Sequence, residues 1–155
     1  IGSNIIQGLN ARGIKDIMDR TATWDIDGDS YKAALYNNSG TPDKTVTTAA
    51  LSSYNGAASQ WVIANEVTDA TNWVAGGRAL AGVTWTQGSS TMTFDANDTA
   101  GGGTLTITNA YGCLVYDTTV GTQGISFNYF GGANTVTSGT FTIVWNASGI
   151  FTITT

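Results

Sequence analysis

The sequence predicts a mainly β protein: an antiparallel β-sandwich or barrel with one or two short helices, preceded by an N-terminal arm. Three observations predict it. After residue 77, apolar residues alternate with Thr through most of the chain, the two-residue period of a strand with one buried face. The chain holds 20 Gly and one Pro, and the glycines gather between the alternating runs, where tight turns need them. The runs recur about every 10–12 residues, the spacing of consecutive strands in a sandwich. A length of 155 residues fits one domain over 21–155 and is enough to bury a core.

Residues 1–20 differ from the rest and form the arm. Ile14, Ile17 and Met18 have helical i, i+3, i+4 spacing, which predicts a short helix over 13–20. Gly8 and Gly13 prevent a longer one. The arm packs either on its own domain or on a neighbour.

"WDIDGDSYK", residues 24–32, combines three aspartates with a glycine. Asp25, Asp27 and Asp29 match the first three ligand positions of a calcium-binding EF-hand loop. The glycine that such a loop requires next is Ser30, and its closing bidentate glutamate is Tyr36. The stretch therefore reads as a turn at Asp27-Gly28, with at most a weak surface cation site on its three carboxylates. "SYKAALYN" (30–37) follows as a strand with Tyr31, Ala33 and Leu35 on one face.

Thr41, Pro42 and Asp43 form a helix-start signal of N-cap, first-turn proline and dipole-complementing acid. It predicts a helix over 42–53 with Val46, Ala49 and Ala50 on one face. Residues 57–67 fit a strand and a helix equally. Beyond them, "RALAGVTWTQ" alternates Ala79, Ala81, Val83 and Trp85. "QGSS" is a turn, and "TMTFD" places Met92 with Phe94. "AGGG" (100–103) is a further turn, and "TLTIT" places Leu105 with Ile107. "YGCLVYD" is a near-continuous apolar run, as in a strand buried on both faces. "GISFNYF" groups Ile125, Phe127 and Tyr129, and "GTFTIVWNASGIFTITT" reads as two strands around "NASG".

The totals exclude several functions. With no His, the chain has no Ser-His-Asp triad, no Cys-His dyad and no ordinary zinc site. The net charge of −5 and only six Lys and Arg speak against nucleic acid as a partner. No apolar run approaches the ~18 residues of a membrane span, and no secretory signal pattern is recognised. Cys113 is the single cysteine, so no internal disulfide forms, which fits synthesis in a reducing cytosol. Its apolar neighbours mark it as an inert buried thiol.

The remaining candidates are few. Asp95 and Asp98 in "FDAND" form the one carboxylate pair that a hydrolase could use as acid and base. Aspartates beside Asn and Thr more often shape Asx turns. Glu66 is the only glutamate and has no identifiable partner. Among the five Trp, Trp85 and Trp145 are assigned to the core, and Trp61 and Trp73 are the candidates for an exposed sugar-stacking platform; Trp24 carries no assignment. Sequons at Asn37, Asn97 and Asn146 carry no weight in so Thr-rich a chain. No cofactor, catalytic residue or metal ligand is assigned, and the expectation is a non-enzyme.

The C-terminal third carries one further signal. Tyr111, Val115, Tyr116, Asp117, Phe130, Gly131, Gly139, Phe141, Ile143, Trp145 and Gly149–Ile150 lie in an ordered string. The string resembles small structural proteins of tailed bacteriophages. In that group a "V-Y-D/N" strand leads to a "D-F-G"-like turn and a "G-T-F-T-I-x-W" terminal hairpin. Asp29, Lys32, Ala34 and Leu35 resemble the group's first strand. About half of the chain is involved. The arm has no counterpart, and "YFGG" replaces the acidic turn. The resemblance implies a virion structural protein of the head or another part of the particle. The acidic charge, unsuited to a head packed with DNA, gives the expectation of a protein, made in the host cytoplasm, that binds the major capsid protein on the outer surface and reinforces the shell. Gripping a repeating lattice through modest contacts favours copies that hold one another, which gives the expectation of a homo-oligomer, such as a trimer. The alternative is a tail or fibre component, or a carbohydrate-binding β-module using exposed Trp.

Overall fold

The computed structural model describes residues 25–154, and their architecture is mainly β, built from antiparallel sheets with one short α-helix. The arm over 1–20, its helix and Trp24 lie outside the described residues. The described residues form ten strands: β1 (Tyr31–Tyr36), β2 (Glu66–Val67), β3 (Arg78–Ala79), β4 (Thr84–Gly88), β5 (Thr91–Asp95), β6 (Thr99–Ala100), β7 (Leu105–Asp117), β8 (Gly124–Gly139), β9 (Thr142–Ile143) and β10 (Phe151–Thr154). They form a five-stranded sheet ordered β2-β1-β7-β8, with β3 also on β1, a three-stranded sheet β10-β5-β4, and a β6-β9 pair.

The centre of the main sheet is β1 against β7, paired along the whole of β1 from Tyr31 opposite Asp117 to Tyr36 opposite Gly112. Both faces of this pair are covered, as the unbroken apolar run of β7 predicts. On one face Ala33, Leu35 and Cys113 pack with Trp73, Leu105, Ile107 and Ile143. Next to them Tyr31 and Val115 pack with Phe94, Ile125, Ile150 and Phe151. Phe94 holds this second cluster together: its ring is edge-on to Tyr31 at 5.1 Å and stacked on Phe151 at 5.0 Å. On the opposite face Ala34, Tyr36, Leu114 and Tyr116 lie beneath Trp61, Tyr54 and Phe127. Trp61 stacks on Phe127 at 4.9 Å, and Tyr54 on Tyr116 at 4.6 Å.

Four expectations are corrected. The helix predicted over 42–53 is reduced to α1 (Ala49–Ser52). Upstream, Asp43 Oδ1 accepts from Thr45 N–H (2.8 Å) and the Thr45 hydroxyl (2.6 Å), a local turn that competes with helical bonding. Gln60 then clamps the Asp43 backbone through both of its amide atoms. The "RALAGVTWTQ" run is two strands in different sheets, because Gly82 turns the chain at φ +63° between β3 and β4. Ile125 does not share a face with Phe127 and Tyr129. It is the extra residue of a bulge, since Tyr116 lies opposite Gly124 while Val115 lies opposite Ser126. The terminal strands β9 and β10 do flank the "NASG" turn, but they pair with β6 and β5 and not with each other, so there is no terminal hairpin.

Residues 57–67 resolve into a 3-10 turn, Ile63–Asn65, and β2. The Asp27-Gly28 turn is present: the Asp25 carbonyl accepts from Gly28 N–H (2.9 Å) and Asp29 N–H (2.7 Å). A Cβ at Gly28 would stand 2.3 Å from Asp25 Oδ2, so a larger residue there would have to displace the exposed Asp25 side chain. No helix among the described residues is long and apolar enough to cross a membrane.

Candidate functional site

The sequence-predicted candidates are dispersed. Asp95 Oδ1 accepts from Ala96 N–H (2.9 Å), and Asp98 Oδ1 accepts from Trp145 N–H (3.0 Å). Both carboxylates thus shape loops. Glu66 does have partners: it accepts from the Tyr54 hydroxyl (2.7 Å) and from Gly76 N–H (2.8 Å), while burial pushes its carboxyl above the usual range. Asn37 accepts from Ser39 N–H and shapes a turn. Cys113 is fully buried, and desolvation pushes its thiol up to about 12, far from the thiolate a nucleophile needs. No group of three or more His, Cys, Asp or Glu among the described residues is placed to hold a metal ion.

The turn aspartates nevertheless meet a residue that sequence reasoning missed. Asp117 closes β7 opposite Tyr31 and is wholly buried. Its Oδ1 accepts from Thr119 N–H (2.6 Å) and Val120 N–H (2.9 Å), fixing the loop between β7 and β8. Its Oδ2 has no donor among the described residues, and the Asp29 charge acts on the same carboxyl. Burial first, and then Asp29, raise the Asp117 carboxyl to about 6. Only the Tyr31 register position, not any spacing motif, would have marked this pair in the sequence.

The exposure expected of Trp61 and Trp73 is corrected: they are buried, at 6% and 0% exposure, while Trp85 and Trp145 pack half-buried at the edges of the core. The reason is the covering segment 40–62, which carries Trp61 down onto Tyr36, and the loop at 69–76, which inserts Trp73 beneath Leu105. Neither loop has the periodicity that betrays burial.

Trp145 leads to a sizeable concavity. From Thr99 to Thr155 the only Asp, Glu, Lys or Arg is Asp117, so the C-terminal part of the chain presents an almost chargeless surface. Within it a groove of about 320 Å³ runs between β8 and residues 141–150. Tyr129, Phe130, Phe141 and Trp145 supply its rings, and Asn128, Asn134 and Asn146 its amides. The rings are anchored from behind: Phe141 meets Trp73 edge-on at 5.7 Å and Phe130 at 6.0 Å. The Trp145 indole N–H donates to the Thr99 hydroxyl at 3.3 Å. The turn 146–149 seats closely on β5 because Gly149, at φ +93°, has no Cβ to strike the Phe94 carbonyl 2.8 Å away. Tyr129 projects into solvent, 61% exposed.

Compared with protein-family models, curated proteins and solved structures, the chain matches none.

Proposed function

We propose that the chain is a non-enzymatic structural protein of a tailed-bacteriophage virion, bound to the outer surface of the capsid and reinforcing the shell. The observation that carries the reading is where the resembling residues meet. Lys32, from the first matching segment, lies opposite Tyr116, from the second. Phe130, Phe141, Ile143 and Trp145, from the rest of the string, pack in the same cluster as Leu35. The resembling residues thus pack together from distant parts of the chain, while the hairpin the likeness implies is split between two sheets.

Charge and composition support the location. A chain of net charge −5 is repelled by densely packed DNA, which favours the outside of a head. A reinforcing protein needs wide, modest contacts with the major capsid protein and with its own copies, and linked contacts gain by effective concentration. A cluster on a lattice symmetry axis, such as a trimer, provides them. The near-chargeless C-terminal surface suits such contacts, because few ions need be desolvated there. Antibody labelling of intact particles in electron microscopy tests the location. Label distributed over the heads is expected, and label confined to tails contradicts it.

A further inference from the structure

We infer that the groove between β8 and residues 141–150 is a binding site for an uncharged carbohydrate. A pyranose ring presents two kinds of surface: an apolar, slightly electropositive C–H face and a rim of hydroxyls that both donate and accept. The groove offers the complement of each. Aromatic faces are electron-rich and attract electropositive hydrogens. Trp145 and Tyr129 supply such faces, and because the Trp145 indole N–H is already spent on Thr99, its ring is fixed in place.

The rim groups are amides with unspent valences. Asn134 directs Nδ2 to the carbonyls of Ala110 (3.3 Å) and Gly132 (3.1 Å), which leaves its Oδ1 to accept. Asn146 accepts from Ser148 N–H through Oδ1 (2.8 Å), which leaves its Nδ2 to donate. A fixed acceptor and a fixed donor across one groove suit a ligand that carries both functions at each position. The volume of about 320 Å³ falls in the range of small-ligand sites.

Other occupants fit less well. Bases of a nucleic acid would stack on the same rings, but single-strand sites also need cations along the backbone, and no Lys or Arg occurs from Thr99 onward. The nearest acid, Asp98, holds the Trp145 backbone and repels anions. A peptide added as a strand would need a regular free edge. On β8 that edge is broken beside the groove, where the register shifts between Asn134 and Tyr129 and Gly131 adopts φ +83°. The inference is independent of the capsid reading.

The test is tryptophan fluorescence of the whole chain titrated with maltohexaose, cellohexaose, chitohexaose and a mannan oligosaccharide, with an oligogalacturonate as anionic comparator. Saturable binding of at least one neutral sugar, and none of the anion, is expected. Tyr129→Ala removes an exposed ring without touching the core, and should weaken binding roughly tenfold at unchanged Tm. Asn146→Ala, which deletes the Nδ2 donor at the rim, should weaken it also. Failure of every neutral sugar to saturate, binding that survives both substitutions, or preference for the anion each overturns the inference. Saturation by an extended apolar peptide alone overturns it in favour of a protein-docking groove.

Discussion

Replacing Asp117 by Asn should stabilise the protein at alkaline pH and leave it nearly unchanged in acid. The side chain is fully buried, its Oδ1 caps two backbone N–H groups, and its Oδ2 has no donor among the described residues. Asparagine keeps the accepting oxygen and supplies a donor toward Asp29 without a charge. In the wild type the folded-state carboxyl titrates at about 6 against an ordinary value of 3.8, so the native state holds the proton more tightly than the unfolded chain does. Stability from this group is complete below the unfolded value and is lost as pH rises through the folded one. The displacement corresponds to a ceiling of about 3 kcal/mol. Urea unfolding of both proteins at pH 4 and pH 8, followed by tryptophan fluorescence, measures the difference. Glu66, raised in the same direction, and Asp43 and Asp69, lowered by their hydrogen bonds, are common to both proteins and cancel. The variant should gain on the wild type by between about 1 and 3 kcal/mol as pH rises from 4 to 8. A difference that does not vary with pH, or a variant less stable at pH 8, refutes the raised, buried Asp117 carboxyl.

Further outcomes follow from close packing. Gly77→Ala should lower Tm by about 5 °C or more, since a Cβ would stand 2.0 Å from the Ala33 carbonyl oxygen and φ is +74°; an unchanged Tm contradicts that approach. Cys113 should resist thiol reagents in the native protein at pH 8 and react fully in urea, because it is buried with its thiol raised to about 12. Labelling of the native protein faster than its unfolding rate contradicts this. Tyr116→Phe removes a hydroxyl that donates to the Gly76 carbonyl at 2.7 Å, and should cost about 1 kcal/mol in urea unfolding, with no cost counting against that bond.

The strands were legible where period and burial agree. β7 declares itself because "YGCLVYD" is covered on both faces, and β5 because Met92 and Phe94 alternate with Thr. Tertiary context decided the rest. The helix signal at Thr41–Asp43 is outweighed by side-chain bonds to Thr45 and Gln60. A single bulge at Ile125 reverses which face it serves, and alternation cannot register a bulge. The groove was not legible at all. Its rings come from β8 and from the segment following it, which resembles a hairpin in sequence but splits between two sheets. Trp145 was assigned to the core for its strand-like neighbours, yet it sits at the core's margin with one side toward solvent.

The central claim is that many copies of this chain cover a capsid. It is tested most directly by the stoichiometry of this chain to the main shell protein in purified particles, measured by quantitative mass spectrometry. The account predicts a ratio of about one, or about one to three, as lattice-wide decoration in symmetric clusters requires. A few copies per particle would place the chain at a vertex or in the tail and contradict it.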